Sequence, residues 1–407
     1  MKKRVLIFSL AYYPHFTSGA EAAIKEITDR IDPSKIEFHI ITLRQISSLP
    51  KEERMGNVFV HRIGLSAKQP TFEDLGRWPL DLNKPLYQFL AAWTALRLHR
   101  REPFDAIWSV MAHSAGVPAA IFKLRHPKIP FVLTLQEGDP PEQIERTMRP
   151  LWPLFSYAFT HADRVQAISG FLGDWARRRG FRGPLTIIHN GANPKDLHEQ
   201  IPLEEIEAAK RAIHKQPGEI VLINTARLVH QKAPDITVRA LALLPAQVRL
   251  VLVGDGPEEE AVKMLAKELG IADRVFCTGR IDRSRVTAYR KAADIFVCPS
   301  RSEGLGLAFL SAMASRLPVI ATQEGGLAEY IFDAKRNPDR RPTAWAVDVD
   351  HPEQIAAAVK DILDHPDKTA QITETARQMV MTSYNWDIIA KEMEREIFHP
   401  LWAPSSL

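Results

Sequence analysis

Residues 293–322 read ADIFVCPSRSEGLGLAFLSAMASRLPVIAT. The run at 295–299 is short, apolar and rich in β-branched and aromatic residues, which predicts a strand. A polar loop with two glycines follows, then an apolar stretch of helical length after Gly306. A second short apolar run closes the segment at 318–321. Strand, loop, helix and strand in that order make a βαβ unit, whose strands are parallel and whose crossover is right-handed. Strands that are apolar at every position are covered on both faces.

The same pattern extends outward. Just upstream, 220–226 (IVLINTA), 248–253 (VRLVLV) and 275–277 read as strands joined by helices. Further upstream a first series runs through 5–9, 38–43, 58–63, 106–110, 130–135, 164–168 and 185–189, with helical patterns such as 20–30 and 86–100 between them. The expected fold is α/β: two Rossmann-like domains, each with a parallel sheet. The polar, proline-containing stretch 193–216 marks the break, giving domains 1–197 and 198–385, with a charged helix at 203–215.

Composition agrees. A chain of 407 residues accommodates two cores. With 45% hydrophobic and 25% charged residues it is an ordinary globular chain, not a disordered one. A net charge of +4 permits an anionic ligand or a membrane surface without requiring nucleic acid, so no nucleic-acid partner is expected. The two cysteines, Cys277 and Cys298, lie in strand-like runs and make neither a disulfide framework nor a metal site. The basic start followed by VLIFSLAYY has the look of a signal peptide, but the apolar run is short, β-rich and followed by a turn and a helix. It is read as a strand. No run approaches the ~18 apolar residues that span a bilayer, and a cytoplasmic protein is expected.

Ligands of open parallel sheets bind beyond the carboxyl ends of the strands. Gly19, between the first strand and a helix, either lets backbone approach a phosphate or serves a turn. Arg227 and Lys232 follow the first strand of the second domain. Two cations there can neutralise a diphosphate, or pair with carboxylates and solvent. Glu303 precedes Gly304-Leu305-Gly306-Leu307 at the start of a helix. Its carboxylate can accept from two sugar hydroxyls while the helix amides hold a phosphate, or it can simply cap the helix. Gly254, in the run 254–258 (GDGPE), reads first as a tight turn, with a backbone role toward a ligand second. His113, past a strand, can bond a sugar or steer a proton, or be structural. Glu137 and Asp139, past the next strand, can meet an acceptor hydroxyl or be solvated turn residues. Residues 146–159 (RTMRPLWPLFSYAF) mix basic and aromatic side chains, as a bilayer-facing segment or an amphipathic helix would. The serine-hydrolase elbow, the Walker sequence, the zinc-protease motif and paired Cys-x-x-Cys are all missing, as is the dinucleotide fingerprint G-x-G-x-x-G.

Taken in order, Arg227/Lys232, 253–257 (VGDGP), Phe276/Gly279, 293–306 (ADIFVCPSRSEGLG) and 318–329 (PVIATQEGGLAE) resemble the GT-B glycosyltransferases of family 4, glycosyl transferases group 1. The run 383–386 (SYNW) is similar to that family as well. The resemblance implies two domains facing across a cleft, with the C-terminal helix, 386–407, crossing back to the first. It implies a retaining transfer from a nucleotide-sugar co-substrate to a glycan or lipid-linked hydroxyl acceptor, with no metal or other cofactor. A cell-envelope polysaccharide is the implied setting, with peripheral membrane contact. Arg227 and Lys232 would hold the diphosphate, Glu303 and the amides of 304–307 the donor sugar, and His113 would lie near that sugar. Gly19 would let its loop close over the phosphates, and Arg280 would lie near the base. Three positions depart from the family pattern. Ser311 stands where a second glutamate usually binds ribose, Ser18 replaces one of two glycines, and Gln136 replaces a histidine. A serine is too short to chelate two ribose hydroxyls, so that recognition is weakened or moved elsewhere. The alternatives are a non-catalytic sugar-nucleotide binder and a same-fold sugar-nucleotide epimerase.

Overall fold

The computed structural model describes residues 2–15, 18–71, 74–198 and 201–402. The chain divides into two compact units, Met1–Asn190 with Trp386–Leu407, and Gly191–Asn385.

The first unit holds β1 (Lys3–Phe8), β2 (Ile36–Leu43), β3 (Glu52–Met55), β4 (Val58–Ile63), β5 (Ala106–Val110), β6 (Phe131–Leu135), β7 (Arg164–Ala167) and β8 (Leu185–Ile187). They form one sheet in the order β3-β4-β2-β1-β5-β6-β7-β8, parallel except for β3. Strand β3 was missed in the sequence. Its residues are EERM, it lies at the sheet edge, and only main-chain pairing to β4 defines it. Helices α1 (Gly19–Thr28), α2 (Asn83–Arg101), α3 (Ala112–Arg125), α4 (Pro141–Thr147), α5 (Trp152–Thr160) and α6 (Gly170–Arg178) connect the strands. The order reverses between β1 and β5, so loops after β1, β5 and β6 emerge from neighbouring strands.

The aromatic run around α5 is core. Phe155 and Phe159 are fully buried and pack edge-on against each other and around Trp175. Trp152 is covered by the Arg179 guanidinium, 4.0 Å from its ring centre. Of the two readings of 146–159, the amphipathic helix with aromatics in the core is the one that Phe155 and Phe159 follow, packing α5 against α6.

The second unit contains β9 (Ile220–Thr225), β10 (Val248–Val253), β11 (Val275–Gly279), β12 (Ile295–Cys298), β13 (Val319–Ala321) and β14 (Trp345–Ala346), ordered β11-β10-β9-β12-β13-β14. All of its pairings are parallel. The helices are α7 (Pro194–His198), α8 (Leu203–Ala212), α9 (Pro234–Ala242), α10 (Glu259–Glu268), α11 (Arg283–Ala292), α12 (Leu307–Ala314), α13 (Pro352–Asp364) and α14 (Pro366–Ser383). The division falls at Asn190/Gly191 and not at 197/198. The reason is a buried pair: Asp196 of α7 takes the Arg290 guanidinium at 2.5 Å and the Ser315 hydroxyl at 2.8 Å, both from the second unit.

Helix α15 (Trp386–Glu392) and the π-helical turn Met393–Phe398 belong to the first unit. Trp386, Ile389, Met393, Ile397 and Phe398 are buried in its core with Val5, Ile24 and Trp108. Phe398 meets Phe38 and Trp108 edge-on.

Candidate functional site

In the second unit the strand order reverses between β9 and β12, which are direct neighbours. Their carboxyl-end loops therefore start side by side, and they carry Lys232 and Glu303. The main chain joins them where the Arg301 N–H donates to Gln231 O at 2.7 Å. The Arg301 side chain then donates to His230 O at 2.7 Å and pairs with Asp235 and Asp350. Lys232 ends a short 3-10 turn, and buried Ala233 turns the chain with φ 47° before Pro234 opens α9. A non-glycine residue in this region is strained and is kept only where its surroundings hold it.

Between the two loops, the Lys232 ammonium donates to the Glu303 carboxylate. The Ser300 hydroxyl donates to the same oxygen at 3.2 Å. Glu303 is 5% exposed and Lys232 half-buried, so this is a partly desolvated ion pair at the carboxyl end of the sheet. The two residues expected to take diphosphate and sugar are thus bonded to each other.

Glu303 leads directly into α12. Gly306 caps that helix with φ 86°. The fully buried Tyr330 hydroxyl donates to Leu305 O at 2.5 Å and lies 3.1 Å from Gly306 O. Burial, with the Glu303 carboxylate nearby, pushes that hydroxyl far above its usual range, so it stays a neutral donor. Gly326 N–H donates to Glu303 O, and a Cβ at Gly326 would stand 2.0 Å from Gly304 O. Phe309 N–H donates to Gly306 O at 3.1 Å, while the Leu307 and Ala308 amides precede the α12 ladder, and such an end favours an anion. Sequence reading missed Ser300, Gly326 and Tyr330. The glycine pair at 325–326 was the available signal.

Arg227 is exposed on the loop after β9. The 254–256 turn supports it: Leu228 N–H donates to Asp255 O, and a Cβ at Gly254 would meet Ala226 O at 2.1 Å. Gly254 takes the tight-turn role read first for it and seats the Arg227 loop. Arg280 is exposed just past β11. Ser311 is buried, and its Oγ accepts the Asn193 N–H at 3.1 Å. Ser311 and Ser315, the latter at the C-cap one turn on, together hold the 193–196 segment. Burial pushes the Cys298 thiol up to about 11, although the Lys232 charge opposes this.

In the first unit, β5 and β6 are neighbours and bring His113 and Glu137 together. The Glu137 side chain is fully buried. It accepts Ala112 N–H at 2.5 Å and Gln136 N–H at 2.9 Å, and one oxygen lies 3.6 Å from His113 Nδ1. Full burial leaves Glu137 no surface for an acceptor: its lone pairs serve the Gln136 amide and the Ala112 amide at the start of α3, and His113 Nδ1 stands beside it beyond hydrogen-bond reach. Asp139 is exposed on the loop before α4. Gln136 accepts from Asn190 at 2.9 Å. Gly19 is the first residue of α1, and the buried Glu21 accepts both the Ser18 N–H and hydroxyl, closing that helix end with its own carboxylate. Residues 16 and 17 of the preceding loop lie outside the described residues.

Two Rossmann-like parallel sheets, each carrying its candidate residues at the strand-order reversal, are the GT-B architecture. The family description "Glycosyl transferase 4-like domain" matches residues 18–191, and "Glycosyl transferases group 1" matches residues 205–379. The chain belongs to the group 1 glycosyltransferases. It is 32% identical, over 50% of its length and 54% of that protein's, to a GDP-mannose-dependent alpha-(1-6)-phosphatidylinositol monomannoside mannosyltransferase of Mycolicibacterium smegmatis. The chain thus spans about half the length of the first curated relatives it matches. A D-inositol 3-phosphate glycosyltransferase of Streptomyces avermitilis is 26% identical over 91% of this chain and 81% of its own. Among solved structures, a sucrose-phosphate synthase from Thermosynechococcus elongatus superposes with a TM-score of 0.79 at 20% identity, covering 99% of this chain and all of that one. Among the described residues, no helix is long and apolar enough to cross a membrane.

Proposed function

We propose that this chain is a retaining glycosyltransferase that moves a sugar from a nucleotide-sugar donor to a hydroxyl of a glycan or lipid-linked acceptor. The observation that carries this reading is the part-buried Lys232–Glu303 pair at the β9/β12 reversal, beside the start of α12. A donor diphosphate would take the Lys232 ammonium, joined by Arg227, and would free Glu303 to accept sugar hydroxyls. The acceptor oxygen forms its bond to the anomeric carbon while the bond to diphosphate breaks. The acceptor proton passes to the departing phosphate oxygen on the same face. Catalysis is then positioning and stabilisation of the leaving diphosphate. Arg227, Lys232 and the α12 amides supply that positive charge, so no metal or other cofactor is required. Family membership and the related mannosyl- and inositol-phosphate glycosyltransferases support the reading.

The test is calorimetry with UDP-, GDP- and ADP-sugars, followed by transfer assays with NMR of the product anomer. Donor binding, transfer with retention, and loss of transfer in Arg227→Ala and Lys232→Ala are expected. Full rates in those variants would sink the assignment. Ser311 favours a second reading, a sugar-nucleotide binder without transfer, because its short hydroxyl is already engaged by Asn193. Donor binding without turnover on any acceptor supports that reading.

A further inference from the structure

Helix α2, NKPLYQFLAAWTALRLHRR, contains no carboxylate, and carries Lys84, Arg97, Arg100 and Arg101. Asp81 and Glu102 flank it. Its inner face buries Tyr87, Ala91, Ala92 and Ala95. The outer face is also apolar. Leu86, Phe89, Leu90 and Trp93 are 40%, 53%, 38% and 60% exposed, with Leu82 at the cap 41% and Trp78 just ahead 81%. At 3.6 residues per turn, positions 82, 86, 89, 90 and 93 share one stripe about 100° wide. A soluble surface helix places charge there; a contiguous exposed apolar stripe marks an interaction face.

Charge selects the occupant. Arg97 and Arg100 continue the stripe toward the C-terminus, with Arg101 at its edge. The Arg97 guanidinium sits 5.1 Å over the Trp93 ring. Arg97 also lines a 360 Å³ cavity with Lys51, His61, Arg62 and Thr94, where Glu52 pairs with His61. A second copy of the chain would bring to this face an α2 that has no carboxylate to meet these arginines. We propose that α2, with Trp78, is a docking face for an anionic lipid bilayer. Its aromatic and leucine side chains enter the acyl boundary and its arginines meet headgroup phosphates. The proposal stands on this face alone and does not depend on the transfer reaction.

The test is co-sedimentation of the full chain with vesicles of phosphatidylcholine mixed with phosphatidylglycerol, against phosphatidylcholine alone. Wild type is expected to pellet with the anionic vesicles only. Phe89→Ser/Trp93→Ser should abolish pelleting with an unchanged melting temperature, while Met264→Ser, an exposed apolar change on α10, should not. Arg97→Gln/Arg100→Gln/Arg101→Gln should lower the partition coefficient about a hundredfold, at about fivefold per charge. No pelleting of wild type, or wild-type pelleting of Phe89→Ser/Trp93→Ser, overturns the proposal. So does a lipid-free dimer in sedimentation velocity that Phe89→Ser/Trp93→Ser dissolves, since the face then belongs to a second copy.

Discussion

Replacing one member of the Lys232–Glu303 pair should cost far more than replacing both. The Lys232 side chain is 22% exposed and that of Glu303 6%. Lys232→Met leaves a nearly desolvated carboxylate with the Ser300 hydroxyl, a loss of about 3–5 kcal/mol. Glu303→Leu leaves an ammonium that water still reaches in part, which brings the loss to about 2–3 kcal/mol. The double variant buries no lone charge and should lie within about 1 kcal/mol of wild type. A coupling of at least about 4 kcal/mol follows. The assay is hydrogen exchange with mass spectrometry on the full chain, read on peptides covering β9 and β12. At about 1.4 kcal/mol per decade, Lys232→Met should exchange there at least about a hundredfold faster. The double variant should regain protection yet bind neither UDP nor pyrophosphate in calorimetry, which separates the pair's structural effect from its ligand role. Additive losses, with the double variant as labile as the two singles combined, would refute the reasoning, because a solvent-screened pair behaves that way.

Three further outcomes follow. Gly326→Ala should lower the melting temperature sharply and abolish donor binding, because its Cβ would stand 2.0 Å from Gly304 O, whereas Gly138→Ala, with nothing within 4 Å, should be neutral in both assays. Glu137→Gln turns an amide NH₂ toward a main-chain N–H that now has an acceptor; it should cost about 1–3 kcal/mol in urea unfolding and, because a carboxylate oxygen lies 3.6 Å from His113 Nδ1, shift the His113 ring resonances, and an unmoved ring would contradict that proximity. Burial holds His39 and His61 below the usual imidazole range, against the pull of Glu37 and Glu52 respectively, with Arg4 lowering both and Arg97 also lowering His61. Both rings are thus favoured neutral in the folded chain. Their contribution is complete above the unfolded value of about 6.5 and is lost as pH falls through the lower folded values. Exchange protection of β2 and β4 should therefore drop between about pH 7 and pH 5, and His39→Gln should flatten that slope; an unchanged slope would contradict it.

Some of this was legible from one dimension. Parallel strands covered on both faces must be apolar at nearly every position, so IVLINTA, VRLVLV and IFVCP declared the sheet of the second unit without any contact being known. Strand-end position also singled out Lys232, Glu303 and His113, since a parallel sheet directs its carboxyl ends to one edge. The polar edge strand β3 escaped because main-chain pairing leaves no side-chain signature.

The chain's own order of residues determined which elements form and which loops carry ionisable groups, because periodicity and turn chemistry are local. Partnership was decided only by tertiary structure. That Lys232 meets Glu303 across 71 positions, that Glu137 serves main-chain amides, that Ser311 holds Asn193, and that Phe155 is core while Phe89 faces solvent all depend on strand order and helix docking. Those contacts join residues distant in sequence, and a carboxylate or a phenyl ring has the same composition whether water or protein surrounds it.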